Sequence, residues 1–333
     1  MASVQRIALA YNNIYVVDDG PGRVLIDTGP DYRGAFELAR GAIGARLPSL
    51  VVATHGHLDH AGLGARWQEA GVPVMVAHDD AHLVRGAQLQ GDGDFLAFVA
   101  FVAGSGAPPE VVAEVTEGLE QRRGWSRRAA AEREYPESRP RDRWPSGLRF
   151  QTFEPALSFN SDRAAIEAGL TLTASPGHTP GNLVTIHEGE GWLFSGDQLL
   201  PEITPTPAIQ PLPPEQRGAD WRFRSLPAFL SSLSRLAGLG LTRCYPGHGE
   251  PFDDVDSAIA ANIGAIEQRT ARVEAELHAA GRVTLYALSE RLYPRAVRRR
   301  FWQIVATVQG HLDHLEANGR ATFRAGHYEP RSD

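Results

Sequence analysis

Cysteine is almost absent. Cys244 is the single one in 333 residues, so an intrachain disulfide and a cysteine-based zinc site are both excluded, and a reducing compartment is allowed. Long apolar runs are missing too: no stretch approaches the ~20 residues that a membrane span needs, and Met1 to Arg6 shows no basic region leading into an apolar core. The expected setting is cytoplasmic, with no membrane partner. Charge of one sign is also lacking. Against 40 aspartates and glutamates stand 33 lysines and arginines, and a net charge of −7 carries neither a strong nucleic-acid footprint nor an acidic tail.

What is present exceeds one core. Single hydrophobic cores stop growing near ~250 to 300 residues, so a chain of 333 implies one large domain and a smaller one. No internal repeat points to a solenoid. Asn13 to Asp19 and Arg23 to Asp27, joined by Gly20-Pro21-Gly22, read as a β-hairpin. Helical patterning from Tyr32 to Leu47 precedes a buried strand, Leu50 to Thr54. A helix over 63–70, a strand over Val72 to Ala77 and short strands between Leu148 and Phe159 and over Leu170 to Ala174 follow. Between them, about 80–144 is helical, irregular and arginine-rich; it reads as an insertion, a solvated decoration or a lid, with Trp125 and Trp144 as its anchors. A Pro-rich loop, 201–214, leads to helical patterns over 226–236 and 256–280. Past Gly281, apolar spacing of three and four supports two more helices, and Asn318-Gly319 turns into a strand.

Metal-ligand chemistry concentrates at strand ends. Imidazole is the commonest protein metal ligand, and carboxylate its usual companion. Thr54-His-Gly-His-Leu-Asp-His60 holds four such groups. His55 and His57 alternate by two and can point into one site from an extended segment, whereas Asp59 and His60, past the turn, can serve a neighbouring one. Pro176-Gly-His178-Thr-Pro-Gly, Ser195-Gly-Asp197 and Pro246-Gly-His248-Gly each set one ligand-type residue just beyond an apolar strand, beside Gly or Pro that permit tight turns.

These motifs, in order from Asp27-Thr-Gly to His248, resemble the metallo-β-lactamase superfamily over about residues 6 to 270. The resemblance implies an α/β fold, an αββα sandwich. It also implies two divalent ions: one on His55, His57 and His178, the other on Asp59, His60 and His248, bridged by Asp197. Zinc is the default; iron and manganese suit the same donors. The C-terminal region is similar to the winged-helix extension of the branch with β-lactamase-like protein 2, beside the hydroxyacylglutathione-hydrolase-like branch. The division expected is a catalytic domain over 1–270, with its insertion at about 80–144, and a linker-helix end plus winged-helix-like domain over 271–333. His57 stands where flavodiiron oxidoreductases carry an acidic residue, and no nuclease-specific domain is evident, so hydrolysis is favoured over redox chemistry.

Such a centre would lower the pKa of a bridging water from ~15.7 towards neutrality and supply a hydroxide nucleophile. Asp59 is the candidate catalytic proton acceptor or donor where the second site is empty. Asp27 either orients a ligand or merely ends a strand, and Thr54 and Thr179 hold ligand loops. The expected substrate is a small acyl compound, an ester, thioester or lactone; the alternative is a phosphodiester or RNA, with Arg298-Arg-Arg300 on the terminal module as its contact. A scaffold with a vestigial centre is disfavoured because every ligand position retains coordinating chemistry. Self-association into a homodimer through the terminal helices is a further expectation. Two sets of histidines are set aside. His311-Leu-Asp-His314 lies in a helical run without completing loops and is expected to be exposed, and His78 and His82 are expected to be surface or structural.

Overall fold

The computed structural model describes residues 1–87, 92–131, 134–137, 144–201, 208–218 and 220–331. Its first sheet contains β1 (Ser3–Leu9), β2 (Asn12–Asp19), β3 (Gly22–Ile26), β4 (Leu50–Val52), β5 (Val74–Ala77) and β6 (Leu157–Phe159), neighbours in space as in sequence. The first three pair antiparallel and the rest join in parallel. Parallel strands need long crossovers, and these carry α1 (Ala35–Ile43), α2 (Leu58–Ala61) and α3 (Gly64–Glu69). Six residues of β2 are buried in succession, as expected of a strand covered on both faces.

The second sheet contains β7 (Arg163–Ala165), β8 (Leu170–Ala174), β9 (Leu183–His187) and β10 (Trp192–Gly196), continued by β13 (Arg243–Pro246) and β14 (Phe252–Asp253). A separate hairpin of β11 (Gln210–Pro211) and β12 (Arg222–Phe223) lies between β10 and β13 in sequence. Strand periodicity sorts the side chains. Tyr15, Val17, Val24 and Ile26 meet Leu170, Leu172, Leu183 and Phe194 between the sheets. Val16, Leu25 and Val51 face the other way, onto Ala35, Ala39 and Trp67. Val184, Ile186 and Leu193 pack on α6 (Ser225–Leu236) and α7 (Val255–Ala280). The result is helix, sheet, sheet, helix.

The insertion departs from a solvated decoration. Its α4 (Asp92–Gly104) and α5 (Pro109–Ala131) contribute Val102 and Val111 to one core with α8 (Leu285–Leu292), α9 (Phe301–Ala317) and the terminal hairpin of β15 (Ala321–Arg324) and β16 (His327–Pro330). Tyr286 N–H donates to Ser105 O at 2.8 Å, which ties the start of α8 to the α4–α5 turn. Thr284 caps α8 by accepting from Ala287 N–H at 3.2 Å. Trp144 is partly buried against the sandwich, as an anchor should be; the side chain of Trp125 lies outside the described residues, as do 202–207 of the Pro-rich loop. Two boundaries also shift. The helix expected over Tyr32 to Leu47 is Ala35–Ile43, bounded by Gly34 and Gly44, both at positive φ. Of Leu148 to Phe159 only Leu157–Phe159 is a strand, residues 148–150 making an isolated bridge through Arg149 to Asp31.

Candidate metal centre

The expected ligands converge from four segments at strand ends. β4 leads to His55 and His57, and α2 follows with Asp59 and His60. The β8–β9 loop carries His178, while β10 and β13 lead to Asp197 and His248. Glycine is obligatory here. A Cβ on Gly196, at φ +52°, would lie 2.5 Å from Thr54 Oγ1, and one on Gly247 would lie 2.5 Å from His60 Cε1.

The ring nitrogens form two groups. His55 Nε2 and His178 Nε2 lie 3.0 and 3.1 Å from His57 Nδ1. His60 Nε2 lies 3.4 Å from His248 Nε2, and Asp59 Oδ2 lies 3.9 and 3.4 Å from those two nitrogens. His55, His57 and His178 thus offer three ligand atoms close enough to share an ion, and Asp59, His60 and His248 offer another three. Asp197 stands between, with Oδ2 3.5 Å from His178 Nε2 and Oδ1 3.3 and 3.5 Å from His60 and His248 Nε2. Buried, Asp197 Oδ1 has no hydrogen bond of good geometry. A buried carboxylate oxygen facing imidazole nitrogens is what a divalent cation satisfies, so these residues fit the group the resemblance implies.

Contacts behind the candidate ligands set their tautomers. His60 Nδ1–H donates to Asp27 Oδ2 at 2.8 Å, and His248 Nδ1–H to Tyr11 O at 3.1 Å, leaving each Nε2 towards the centre. Thr54 Oγ1 donates to Asp27 Oδ2 and accepts from His55 Nδ1–H, both at 3.1 Å. Asp27 therefore fixes the His60 ring, and Thr54 ties Asp27 to His55. Electrostatics divides the histidines. Burial, with neighbouring histidines, drives His55 down and brings His178 to about 4 despite Asp197; burial also lowers His57. Neutral imidazoles with available lone pairs result. Burial opposes charge on His60 and His248, yet the carboxylates prevail and raise both, His248 to about 9. Burial likewise works against charge on Asp59 and Asp197, but the histidines hold both carboxyls well below the usual range. The carboxylates call for positive charge at this spot.

The sequence reading missed Asp80. Fully buried, it accepts from Gly56 N–H at 2.8 Å and from Thr179 Oγ1 and Gly181 N–H at 2.7 Å, clamping the His55–His57 loop to the His178 loop. Its signal was available: it follows an apolar strand as the ligands do. Asn12, whose Nδ2 donates to Asp59 Oδ2 at 3.3 Å, and Tyr11, stacked on His248 at 4.9 Å, carried no motif. Of the histidines set aside, His78 is exposed and 3.2 Å from Glu215, and His82 is buried. His311 corrects its expectation: it is 1% exposed, with Nδ1 2.8 Å from Thr270 Oγ1, because the helix turns that face onto α7. Neither it nor His314 belongs to a metal-binding group among the described residues.

The model of the metallo-β-lactamase superfamily matches residues 8–248. The chain belongs to that superfamily. As a superfamily member it is a metal-dependent hydrolase, and its likeness extends past residue 248. It is similar to the probable metallo-hydrolase YqjP of Bacillus subtilis, 23% identical over 325 residues, 93% of this chain and 89% of that one. The β-lactamase-like protein 2 homolog of Caenorhabditis elegans matches 88 residues at 35% identity, 26% of this chain and 24% of that protein. A metallo-β-lactamase family protein of Thermus thermophilus shares the fold at a TM-score of 0.69 and 23% identity, with 99% of this chain and 98% of that one covered. Among the described residues no helix is long and apolar enough to cross a membrane.

Proposed function

We propose that this superfamily hydrolase holds one divalent ion on His55, His57 and His178 and a second on Asp59, His60 and His248, with Asp197 between them, and hydrolyses an ester, thioester or lactone. The carrying observation is the Asp197 carboxylate, which presents one oxygen 3.5 Å from His178 and the other 3.3 and 3.5 Å from His60 and His248. Bound ions supply Lewis acidity and bring the pKa of a water towards neutrality. The chain supplies orientation. Asp27, Thr54 and the Tyr11 carbonyl fix three imidazole rings, and Asp80 fixes two ligand loops against each other. Asp59, kept ionised by its histidine neighbours and steered by Asn12, would hold the second ion, and where that site is empty it is placed to take up or return a proton.

An acyl substrate suits the surroundings better than a polyanion. Ile209, adjacent to a residue that bonds the His178 loop, packs with Phe98 and against Trp221 and Trp302, giving that side an aromatic, apolar character. Of the arginine triplet, Arg298 is engaged by Glu114 at 3.2 Å. Residues 271–333 are taken as a winged-helix-like module, and zinc as the native ion. The test couples metal analysis of the purified protein to a panel of thioester, lactone, ester and phosphodiester substrates, for wild type, Asp59→Ala and His178→Ala. Two ions per chain and acyl turnover that collapses in both variants are expected. Metal content near zero would sink the centre; turnover of phosphodiesters alone would replace the acyl reading.

A further inference from the structure

Three successive backbone carbonyls of the His178 loop each accept a side-chain hydrogen bond. Ser232 Oγ donates to Pro176 O at 2.7 Å, Ser225 Oγ to Gly177 O at 2.5 Å and Gln210 Nε2 to His178 O at 2.6 Å. The two serines belong to α6, which is packed on the sandwich itself. Gln210 is different. It lies on β11, whose partner β12 pairs Pro211 with Arg222. Arg222 then forms a two-pronged pair with Asp313 of α9, Nη2 to Oδ1 at 2.7 Å and Nη1 to Oδ2. Asp313 Oδ1 also accepts from Gln309 Nε2 at 2.8 Å, and the Gln309 amide meets Tyr328 Oη of β16. Asp313, Gln309 and Tyr328 are all buried.

We infer that Gln210, Arg222 and Asp313 are positioning residues through which the C-terminal module sets the backbone of His178. The inference rests on the metal-ligand reading of His178. A bidentate guanidinium–carboxylate pair fixes direction as well as distance, and two strand residues transmit that fix to Gln210, whose side chain holds the His178 carbonyl. Ligand atoms must be held to fractions of an ångström, and loss of an orienting partner typically weakens metal binding 10- to 100-fold. The terminal helices and hairpin are therefore part of the metal centre's support, although none of the seven candidate ligands lies on them.

The test is zinc affinity of the full-length protein, by competition with a chromophoric chelator, together with a thermal melt by circular dichroism. Gln210→Ala and Asp313→Asn, each still folded at the assay temperature, should weaken zinc binding by about 10-fold. The double variant should be no weaker than Gln210→Ala alone, because both changes cut one path; a merely structural Asp313 would instead add its effect. Wild-type affinity in Gln210→Ala, or a full additional loss from Asp313→Asn on the Gln210→Ala background, overturns the inference. Should Asp313→Asn fail to fold, Arg222→Lys, which cannot form the two-pronged pair, takes its place. His178→Ala separates the two levels. If it keeps its full zinc content, the metal-centre reading itself fails; if it loses zinc while Gln210→Ala does not, only the positioning path fails.

Discussion

Gly56-His57-Leu58-Asp59-His60 and Gly310-His311-Leu312-Asp313-His314 are the same five residues in two parts of the molecule. In the first, His57 is still extended, at φ −69° and ψ 151°, and the chain turns into a short helix only after it. That change of backbone sends His57 to one ligand group while Asp59 and His60 join the other. In the second, all five residues continue α9. His311 is pressed against Thr270, and Asp313 is closed off by Arg222. The carboxylates show the contrast most directly: the Asp59 side chain is 21% exposed and faces imidazoles, whereas that of Asp313 is 1% exposed and faces a guanidinium. Identical letters thus yield a candidate site in one place and a structural strut in the other, because backbone and neighbours decide the chemistry.

Replacing the two aspartates in turn breaks the comparison most sharply. Asp59→Ala removes a candidate ligand of the second ion, or the proton-transfer group where that site is empty, and should lower kcat/KM on an acyl substrate by about 10² to 10⁴, while the chain still unfolds cooperatively. Equal kcat/KM in steady-state assays of wild type and variant would remove Asp59 from the chemistry. Asp313→Ala should act through the fold instead. Leaving Arg222 buried without its partner costs about 3–5 kcal/mol, to be read as a lower urea midpoint; a loss under about 1 kcal/mol would show that Arg222 finds water or another acceptor.

How much of this could be read from the chain follows the same divide. The centre was legible because its ligands share a local signature, an apolar strand, a glycine or proline, then a coordinating side chain, and local signatures survive without knowledge of distant contacts. His55, His57, Asp59, His60, His178, Asp197 and His248 all came together on that ground. The αββα layering was implied by the family resemblance, and the alternating faces of the strands in the structure agree with it. Asp80 follows an apolar strand as the candidate ligands do, but its role lies in contacts to Gly56, Thr179 and Gly181 that are distant in sequence, and the exposure expected of His311 was wrong because helical spacing says which face it occupies, not what covers that face. The joining of α4 and α5 to the terminal module has no local signature at all: Val102 and Val111 meet Leu285 and Val305 across nearly two hundred residues of sequence.

His311 offers a sharper but smaller measurement, since burial, together with Arg269 and His314, brings it to about 3. An unfolded histidine titrates near 6.5. Between those two values the unfolded chain binds more protons than the folded one, so the stability attached to neutral His311 is complete above pH 6.5 and declines as the solution is acidified. The slope from this one group is up to about 1.4 kcal/mol per pH unit. Urea unfolding at pH 7, 6 and 5 should show it, and His311→Gln should reduce the slope by that amount. A wild-type slope unchanged by the substitution would mean that His311 titrates normally and is not closed in.

The smallest effect belongs to the arginine triplet that the sequence offered as a nucleic-acid contact. Arg298 and Glu114 join the terminal module to α5 at 3.2 Å, but both side chains are more than half exposed. Exposed pairs of this kind contribute about 0–1 kcal/mol because water competes for both charges and long side chains lose freedom in meeting. Arg298→Ala should therefore leave the urea midpoint nearly unchanged, and, unlike Asp313→Asn, should leave zinc affinity at the wild-type value. The two substitutions cut links between the same module and its surroundings, one at the surface and one in the interior. A weakening of zinc binding by Arg298→Ala as large as that by Asp313→Asn would mean that general loosening of the module, not the directed contact through Arg222 and Gln210, governs the His178 loop.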